Sequence, residues 1–253
     1  MEHDLIKNSD HHSLIKVYAF PFAGGNRYSY NVFRQYLSEK IDFTPVEIPG
    51  RGRRINEPLL RNIHSIVDDI YERIAPELTA QYAIYGHSMG GLIGYLLIKK
   101  LQEKSEILPT HLIVSGSKSP SSRNLQRTPT YRLPANDFIN KIKELNGSPT
   151  EILENKTSWN IFEPILRADF EAVETFCYQE TKPFNIPITV MMGLQDEIAE
   201  DDMRSWQRET VAPIALKKFN GNHFFIFEHA PSVTAIIEKA LFNVNTMISS
   251  KQL

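Results

Sequence analysis

The 253-residue chain carries 28 basic and 30 acidic side chains, which gives a formal net charge of −2. Its length allows a substantial core, and its content of 42% hydrophobic and 23% charged residues argues against a disordered protein. The near balance of charge provides no sustained positive field for a phosphate backbone, so we expect no nucleic-acid partner.

Short apolar runs alternate with longer helical patterns along the chain. This alternation predicts an α/β fold in which a mostly parallel central sheet is flanked by helices. The predicted strands cover residues 14–22, 43–48, 82–85, 111–115, 188–192 and 215–219. The predicted helices between and after them cover residues 63–74, 89–101 and 233–242. No repeat or linker divides the chain, so we expect one domain over residues 1–253.

The interval 117–187 interrupts this rhythm, because it shows no strand although connections in such folds usually take a few residues. Residues 138–145 and 161–176 have helical character. We interpret the interval as a mostly helical lid inserted over one end of the sheet. Two ordinary crossover helices with loops are the alternative.

The ends of the chain and its cysteine content bear on location. Cys177 is the only cysteine, so no disulfide forms within the chain, which is compatible with a reducing compartment. The first residues are polar and acidic, without the apolar core of a signal peptide. No run of about 18 apolar residues occurs, so we expect no membrane span and a cytoplasmic, monomeric protein.

The strongest local signal is the run Gly-His-Ser-Met-Gly at residues 86–90, between a predicted strand and a predicted helix. A serine on a sharp turn there projects its hydroxyl from the end of the sheet. Larger residues two positions either side would collide, so both positions require glycine. The helix that follows points its amides at a developing oxyanion. We predict Ser88 as a nucleophile; an inert serine in a glycine-rich turn is the alternative.

A serine hydroxyl needs a base to take its proton, and the base needs a carboxylate to hold its tautomer. The expected chain order of Ser, Asp or Glu, and His leaves His223 and His229 as candidate bases. His223 lies in a polar turn directly after the last predicted strand, whereas His229 follows an apolar run and approaches a helix. We therefore predict His223 as the base.

Asp196 is the predicted orienting acid, because a short loop separates it from the strand predicted at residues 188–192. Glu197 is its neighbour but would face another way. We expect Asp201 and Asp202 to lie on a helix that follows this loop, where acidic residues commonly occupy the first turn.

Other titratable residues have ordinary interpretations. Asp169, within the interval 117–187, is expected to face solvent or to pair with Arg167. His87 adjoins the nucleophile, and we expect it to pack rather than to react. The histidines show no spacing typical of metal ligands, so we expect no metal and no cofactor.

The loop after the first strand reads Phe-Pro-Phe-Ala-Gly-Gly at residues 20–25. Its two glycines let the main chain approach a substrate closely. An oxyanion usually receives one amide from the residue after the nucleophile and one from an earlier loop. We therefore predict the amides of Met89 and Ala23 as the oxyanion donors; a plain glycine turn at 24–25 is the alternative.

Taken together, these motifs resemble those of the type II thioesterases, the free-standing editing enzymes of nonribosomal peptide and polyketide synthesis, which have the α/β-hydrolase fold. The motifs that carry the resemblance lie, in matching order, at residues 20–25, 49–53, 86–91, 193–196 and 221–225. The resemblance extends over about residues 14 to 240.

The resemblance implies a substrate that the composition does not reveal: an acyl group on the phosphopantetheine arm of an acyl- or peptidyl-carrier protein. A medium-chain acyl thioesterase of fatty acid synthesis, an oxygen-ester hydrolase or acyltransferase, and a catalytically dead binding protein of the same fold remain alternatives.

Two further sets of residues have open roles. Phe138, Ile161, Phe162 and Phe170 either line an acyl channel or pack in a lid. Arg51, Arg53 and Arg54 either meet a carrier protein or form a solvated basic loop.

Overall fold

The computed structural model describes residues 14–79, 81–123, 128–145 and 153–249. Six strands form one sheet, and their bounds are β1 Ile15–Phe20, β2 Ile41–Pro45, β3 Tyr82–His87, β4 His111–Ser115, β5 Ile188–Gly193 and β6 Ala215–Phe219. The spatial order is β2-β1-β3-β4-β5-β6, and each neighbouring pair is parallel. The predicted α/β-hydrolase fold is confirmed, and four of the six strands have shifted bounds relative to the prediction.

Two of the shifts follow from the pairing of the strands. The ladder between β1 and β2 ends where Ala19 pairs with Pro45, with a last hydrogen bond from the amide of Val46 to the carbonyl of Ala19 at 2.9 Å. β3 continues past the predicted end at residue 85, since Gly86 and His87 still pair with β4. The strand therefore delivers the chain to residue 88 without an intervening loop.

The helices are α1 Ile63–Ile74, α2 Met89–Glu103, α3 Ala135–Leu145, α4 Lys156–Glu174, α5 Glu200–Arg204, α6 Phe225–Glu228 and α7 Ala230–Ser249. Helix α1 has the predicted bounds and buries an apolar stripe with helical spacing, formed by Ile63, Ile66, Val67, Ile70 and Ile74. Asn62 caps it by accepting hydrogen bonds from the amides of His64 and Ser65. Helix α2 is buried almost all round, as expected for a helix that packs between the sheet and other helices. None of the helices in the described ranges has the length and apolar character needed to cross a membrane.

Alternate residues of the strands feed two cores, one on each face of the sheet. Tyr18 and Phe20 of β1 pack with α1 and α2, whereas Val17 and Ala19 pack with α7. The sheet is therefore the middle of three layers.

A third, smaller core lies away from these two. It is built on α3 and α4 and consists of Phe138, Ile142, Leu153 and Leu166, with Ala23 packed against it. The described part of the interval 117–187 contributes no strand to the sheet. That this interval acts as a lid stays a prediction.

His111 at the start of β4 makes the stability of the fold depend on pH. The residue is 8% exposed, and burial lowers the pKa of its imidazole to about 4. The unfolded side chain has a pKa of about 6.5, so the unfolded chain binds a proton first and stability falls as pH drops below 6.5. We expect the wild type to lose about 2 kcal/mol more than His111→Gln between pH 8 and pH 5.

Urea unfolding of both proteins at the two pH values measures this difference. The buried His87 is present in both proteins, so its contribution to the pH dependence of stability cancels in the comparison. Equal losses in the wild type and the variant would contradict the assignment to His111.

Candidate active site

The four loops that carry the predicted site residues leave the sheet at one edge. Ala23 follows β1, Ser88 follows β3, Asp196 follows β5 and His223 follows β6. All strands are parallel, so these residues collect at the carboxyl ends of the strands, where ligands bind in open α/β sheets. The third core lies over the same edge, because Ala23 packs against that core and is also one of the predicted site residues.

Ser88 occupies a strained backbone position between β3 and α2. Its φ of 55° and ψ of −112° lie in a region that non-glycine residues rarely adopt. A side chain at Gly86 would collide with the carbonyl of Gly90, and one at Gly90 would collide with the carbonyl of Phe20. The two glycines of the motif are thus required by the tight packing around this turn.

Ser88, His223 and Asp196 lie in a hydrogen-bonded row. The Nε2 atom of His223 is 3.0 Å from the Oγ atom of Ser88, and its Nδ1 atom is 2.8 Å from Oδ2 of Asp196. A carboxylate only accepts hydrogen bonds, so Nδ1 carries the proton and Nε2 is free to accept from the serine hydroxyl. The other oxygen of Asp196 accepts from the amide of Ile198, which holds the carboxylate in its loop.

The alternative bases and acids lie elsewhere. The ring of His229 donates through Nε2 to the carbonyl of Asn220. Glu197 is exposed and pairs with Lys141. Asp202 lies in the first turn of α5 and pairs with Lys118. The structure therefore brings together the three residues named above and leaves these candidates out.

The prediction for Asp169 is wrong, because its carboxylate is fully buried and pairs with Arg51 instead of Arg167. The two side chains form two parallel hydrogen bonds of 2.6 and 2.7 Å. Arg167 pairs with Glu163, one turn earlier on α4. Asp169 follows Ile165 by four positions, so it lies on the buried stripe of α4, and this periodicity was a signal for its burial.

Neither interpretation of the loop at residues 51–54 fits Arg51 or Arg54. Arg51 is 2% exposed, and Arg54 binds both Asp69 and Glu57. Arg53 alone of the three arginines is exposed. The pairings with Asp169 and Asp69 were not visible in the sequence because these two acidic partners lie on other elements, whereas Glu57 lies only three residues after Arg54.

The two predicted oxyanion donors lie in different local structures: Met89 at the start of a helix and Ala23 in a β-turn. Met89 is the first residue of α2, and the first amides of a helix have no partner within it. Residues 22–25 form a turn in which the amide of Gly25 donates to the carbonyl of Phe22 at 2.8 Å. Gly24 has a φ of 77°, the value that the third position of a type II turn requires.

A cavity opens beside the serine hydroxyl. It is lined by Phe22, Ala23, Ser88, Ile142, Leu145, Leu166, Phe170, His223 and Phe224. Of the four residues considered for an acyl channel, Phe170 lines this cavity. Phe138 is fully buried in the third core and Ile161 is 59% exposed, so neither belongs to the wall. A larger cavity between α1 and α2 contains none of the predicted site residues.

His87 lies behind the hydrogen-bonded row, with its ring 5.0 Å from that of His223. Its Nδ1 atom is 3.0 Å from the hydroxyl of Ser115, which also contacts the hydroxyl of Tyr85. Burial, with a smaller contribution from the charge of His223, lowers the pKa of His87 well below its usual value. The ring is therefore neutral near pH 7 and packs against His223 without competing for the proton of the serine.

The chain is similar in sequence and in structure to known proteins. A family model described as a thioesterase domain matches residues 15–241. The protein named linear gramicidin dehydrogenase LgrE of Brevibacillus parabrevis is 32% identical over 90% of this chain and 88% of its own. The gramicidin S biosynthesis protein GrsT of Aneurinibacillus migulanus is 31% identical over 85% and 84%. The crystal structure of ClbQ from the colibactin NRPS/PKS pathway superposes with a TM-score of 0.87 at 28% identity, over 93% of this chain and 100% of that one.

Proposed function

Because this chain belongs to the thioesterase family, we propose that it hydrolyses acyl thioesters on the phosphopantetheine arm of carrier proteins in nonribosomal peptide or polyketide synthesis. Ser88 is the nucleophile, His223 the base and Asp196 the acid that orients it. The proposal includes the cytoplasmic location and monomeric state expected from the sequence. The observation that carries it is the row of contacts from the hydroxyl of Ser88 through His223 to Asp196, at 3.0 and 2.8 Å.

In the first half of the reaction, the Oγ atom of Ser88 bonds to the thioester carbon while Nε2 of His223 takes its proton. The electrons of the carbonyl move to its oxygen, where the amides of Ala23 and Met89 stabilise the charge. The carbon–sulfur bond then breaks, and the sulfur leaves as a thiol with the proton from His223. The products are an acyl ester on Ser88 and the free pantetheine arm.

In the second half, water replaces the thiol. His223 takes a proton from the water as its oxygen bonds to the acyl carbon, and the same two amides hold the second oxyanion. The ester bond to Ser88 breaks, and the serine oxygen regains its proton from His223. The acid is released and the site returns to its starting state.

The cavity beside Ser88 supports an acyl group as the substrate. Its wall is mostly aliphatic and aromatic, and the side chains that supply this character are Phe22, Ile142, Leu145, Leu166, Phe170 and Phe224. Such a wall favours an apolar chain next to the reacting carbonyl. The relative GrsT is named as a gramicidin S biosynthesis protein and the structural neighbour ClbQ belongs to the colibactin NRPS/PKS pathway, which supports a carrier-bound substrate.

The name of the relative LgrE includes a dehydrogenase activity. A dehydrogenase of the common dinucleotide-binding type carries a Gly-x-Gly-x-x-Gly run, which this sequence does not contain. The serine, histidine and carboxylate are the parts of a hydrolase, so we propose hydrolysis.

The proposal is tested with one acyl group presented in different ways. We expect the purified protein to release the acid from an acyl-loaded carrier protein with a higher kcat/KM than from the matching acyl thioester of free pantetheine or the matching oxygen ester. The reason is that the carrier protein contributes binding energy that the small thioester lacks. Release is followed by mass spectrometry of the carrier protein.

Three outcomes would contradict the proposal. A preference for the oxygen ester, or transfer of the acyl group to an added alcohol, indicates an esterase or acyltransferase. A preference for carrier proteins of fatty acid synthesis with medium-length chains indicates the fatty-acid alternative. Binding of acyl carriers without release, and without reaction of Ser88 with a fluorophosphonate, indicates a binding protein.

A further inference from the structure

We infer that Asp169 and Arg51 are a buried positioning pair, which holds the 22–25 turn in the conformation that its oxyanion contact requires. The inference rests on the proposed function, since it assigns the pair to the reaction at Ser88. The pair joins two elements that are far apart in sequence: helix α4 supplies the carboxylate, and the loop after β2 supplies the guanidinium.

The carboxylate of Asp169 binds three donors at once. Its Oδ2 atom accepts from the amide of Gly24 at 2.7 Å and from Nη1 of Arg51 at 2.6 Å, and its Oδ1 atom accepts from Nη2 of Arg51 at 2.7 Å. The guanidinium also donates from Nη1 to the carbonyl of Gly25 at 3.2 Å. The pair therefore binds the main chain of the turn at an amide and at a carbonyl.

These contacts select one form of the turn. The central peptide of a β-turn points in opposite directions in types I and II, and in this turn it joins Ala23 to Gly24. Because Gly24 has the positive φ of type II, its amide reaches Asp169. Loss of the carboxylate removes the acceptor that holds this peptide, whose two orientations then compete.

The same contacts fix the position of the peptide that joins Phe22 to Ala23, because this peptide belongs to the same turn. The carbonyl of Phe22 points into the turn, where it accepts from Gly25. In a trans peptide the N–H points opposite to the carbonyl, so the amide of Ala23 points out of the turn. Ala23 and Ser88 line the same cavity, so a turn that leaves its position also carries the amide of Ala23 away from the proposed oxyanion contact.

A purely structural ion pair is the alternative, because both side chains are buried and the pair joins α4 to the rest of the protein. The chain offers a matched control for that role. Arg54, in the same loop, makes a similar double contact with Asp69 of α1 at 2.6 and 2.7 Å. Neither residue has a hydrogen bond to the 22–25 turn among those of the described residues.

The test is the rate at which Ser88 reacts with a fluorophosphonate, a probe that does not depend on the natural acyl group. The Oγ atom of Ser88 bonds to phosphorus, fluoride leaves, His223 takes the proton and the phosphoryl oxygen occupies the oxyanion position. We expect Asp169→Asn to slow this labelling by about 100-fold, because asparagine has one acceptor oxygen for three donors and its amide faces Arg51. We expect Asp69→Asn to label within about threefold of the wild-type rate, since it leaves the oxyanion donors in place.

Thermal melting of each variant sets a labelling temperature at which all are folded. Should Asp169→Asn not fold, the double variant Arg51→Met/Asp169→Leu removes both buried charges and leaves neither unpaired. It still lacks the acceptor for Gly24, so we expect it to label as slowly as Asp169→Asn. In thioester hydrolysis, kcat per folded protein should fall and KM should stay near the wild-type value, because the interaction lost is one made in the transition state.

Labelling of folded Asp169→Asn, or of the double variant, at the wild-type rate would overturn the inference. Equal slowing of Asp169→Asn and Asp69→Asn would also overturn it, in favour of the structural alternative. If the wild type labels rapidly but releases no acid from carrier thioesters, the proposed substrate is wrong, while slow labelling of Asp169→Asn still supports the positioning pair.

Discussion

Replacement of Ser88 by alanine is expected to lower the kcat of acyl-thioester hydrolysis by about 10⁵- to 10⁶-fold, the scale seen when other serine hydrolases lose their nucleophile. No other group in the row of contacts can form the acyl ester, so only the stabilisation of an oxyanion formed by water remains. Alanine keeps the Cβ atom that already fits the strained backbone at φ 55°, so the substitution adds no new clash. We therefore expect an unchanged melting temperature.

The measurement is acid release under single-turnover conditions, with intact-protein mass spectrometry to detect the acyl ester. Ser115→Ala is a suitable control, because it removes a hydroxyl bonded to His87 and leaves His223 untouched. We expect it to retain activity within about tenfold of the wild type, since no group that touches the reacting atoms is lost. A folded Ser88→Ala protein with ordinary turnover would disprove the assignment of the nucleophile.

The second large effect is expected from Asp196→Asn, which should lower kcat by about 10⁴-fold, as the equivalent change does in other triads. The amide of asparagine can donate to Nδ1 of His223, which favours the tautomer with the proton on Nε2. In that tautomer Nε2 no longer accepts from Ser88, so the proton transfer fails although the three side chains remain in place.

Glu197→Gln is the matched control, because Glu197 is the next residue but is exposed and pairs with Lys141. We expect near wild-type turnover, since a surface ion pair contributes little. The prediction is contradicted if Asp196→Asn is near wild type while Asp169→Asn is inactive. That pattern would assign the orienting acid to Asp169, whose carboxylate contacts Arg51 and Gly24 in this structure.

Much of the fold follows from local patterns in the sequence. The stripe of α1 and the apolar run of β4 predict these elements with their observed bounds, because each pattern reports which face of one element is buried. The surroundings of Ser88 are also local: the glycines at 86 and 90 and the flanking strand and helix lie within a short stretch. Candidates for the base and the acid follow from their positions after predicted strands, since parallel strands end at one edge.

The contacts between distant segments do not follow from such patterns. Asp169 and Arg51 are separated by 118 positions, and no local rule says that the loop after β2 meets α4. The wall of the cavity could not be predicted from local patterns either, since Ile142, Leu166 and Phe224 come from three separate elements. Ile161 shows the converse, because an apolar side chain on a helix need not be buried and this one faces solvent.

Helix α4 contributes to two parts of the site at once. Leu166 and Phe170 form part of the cavity wall, and Asp169, between them in sequence, binds the 22–25 turn. Leu166 is so close to Gly24 that a Cβ atom there would lie 2.7 Å from its side chain. On the inference above, an acyl chain whose bulk displaces this helix also withdraws the acceptor of the Gly24 amide. We then expect bulky chains to lower kcat more than they raise KM.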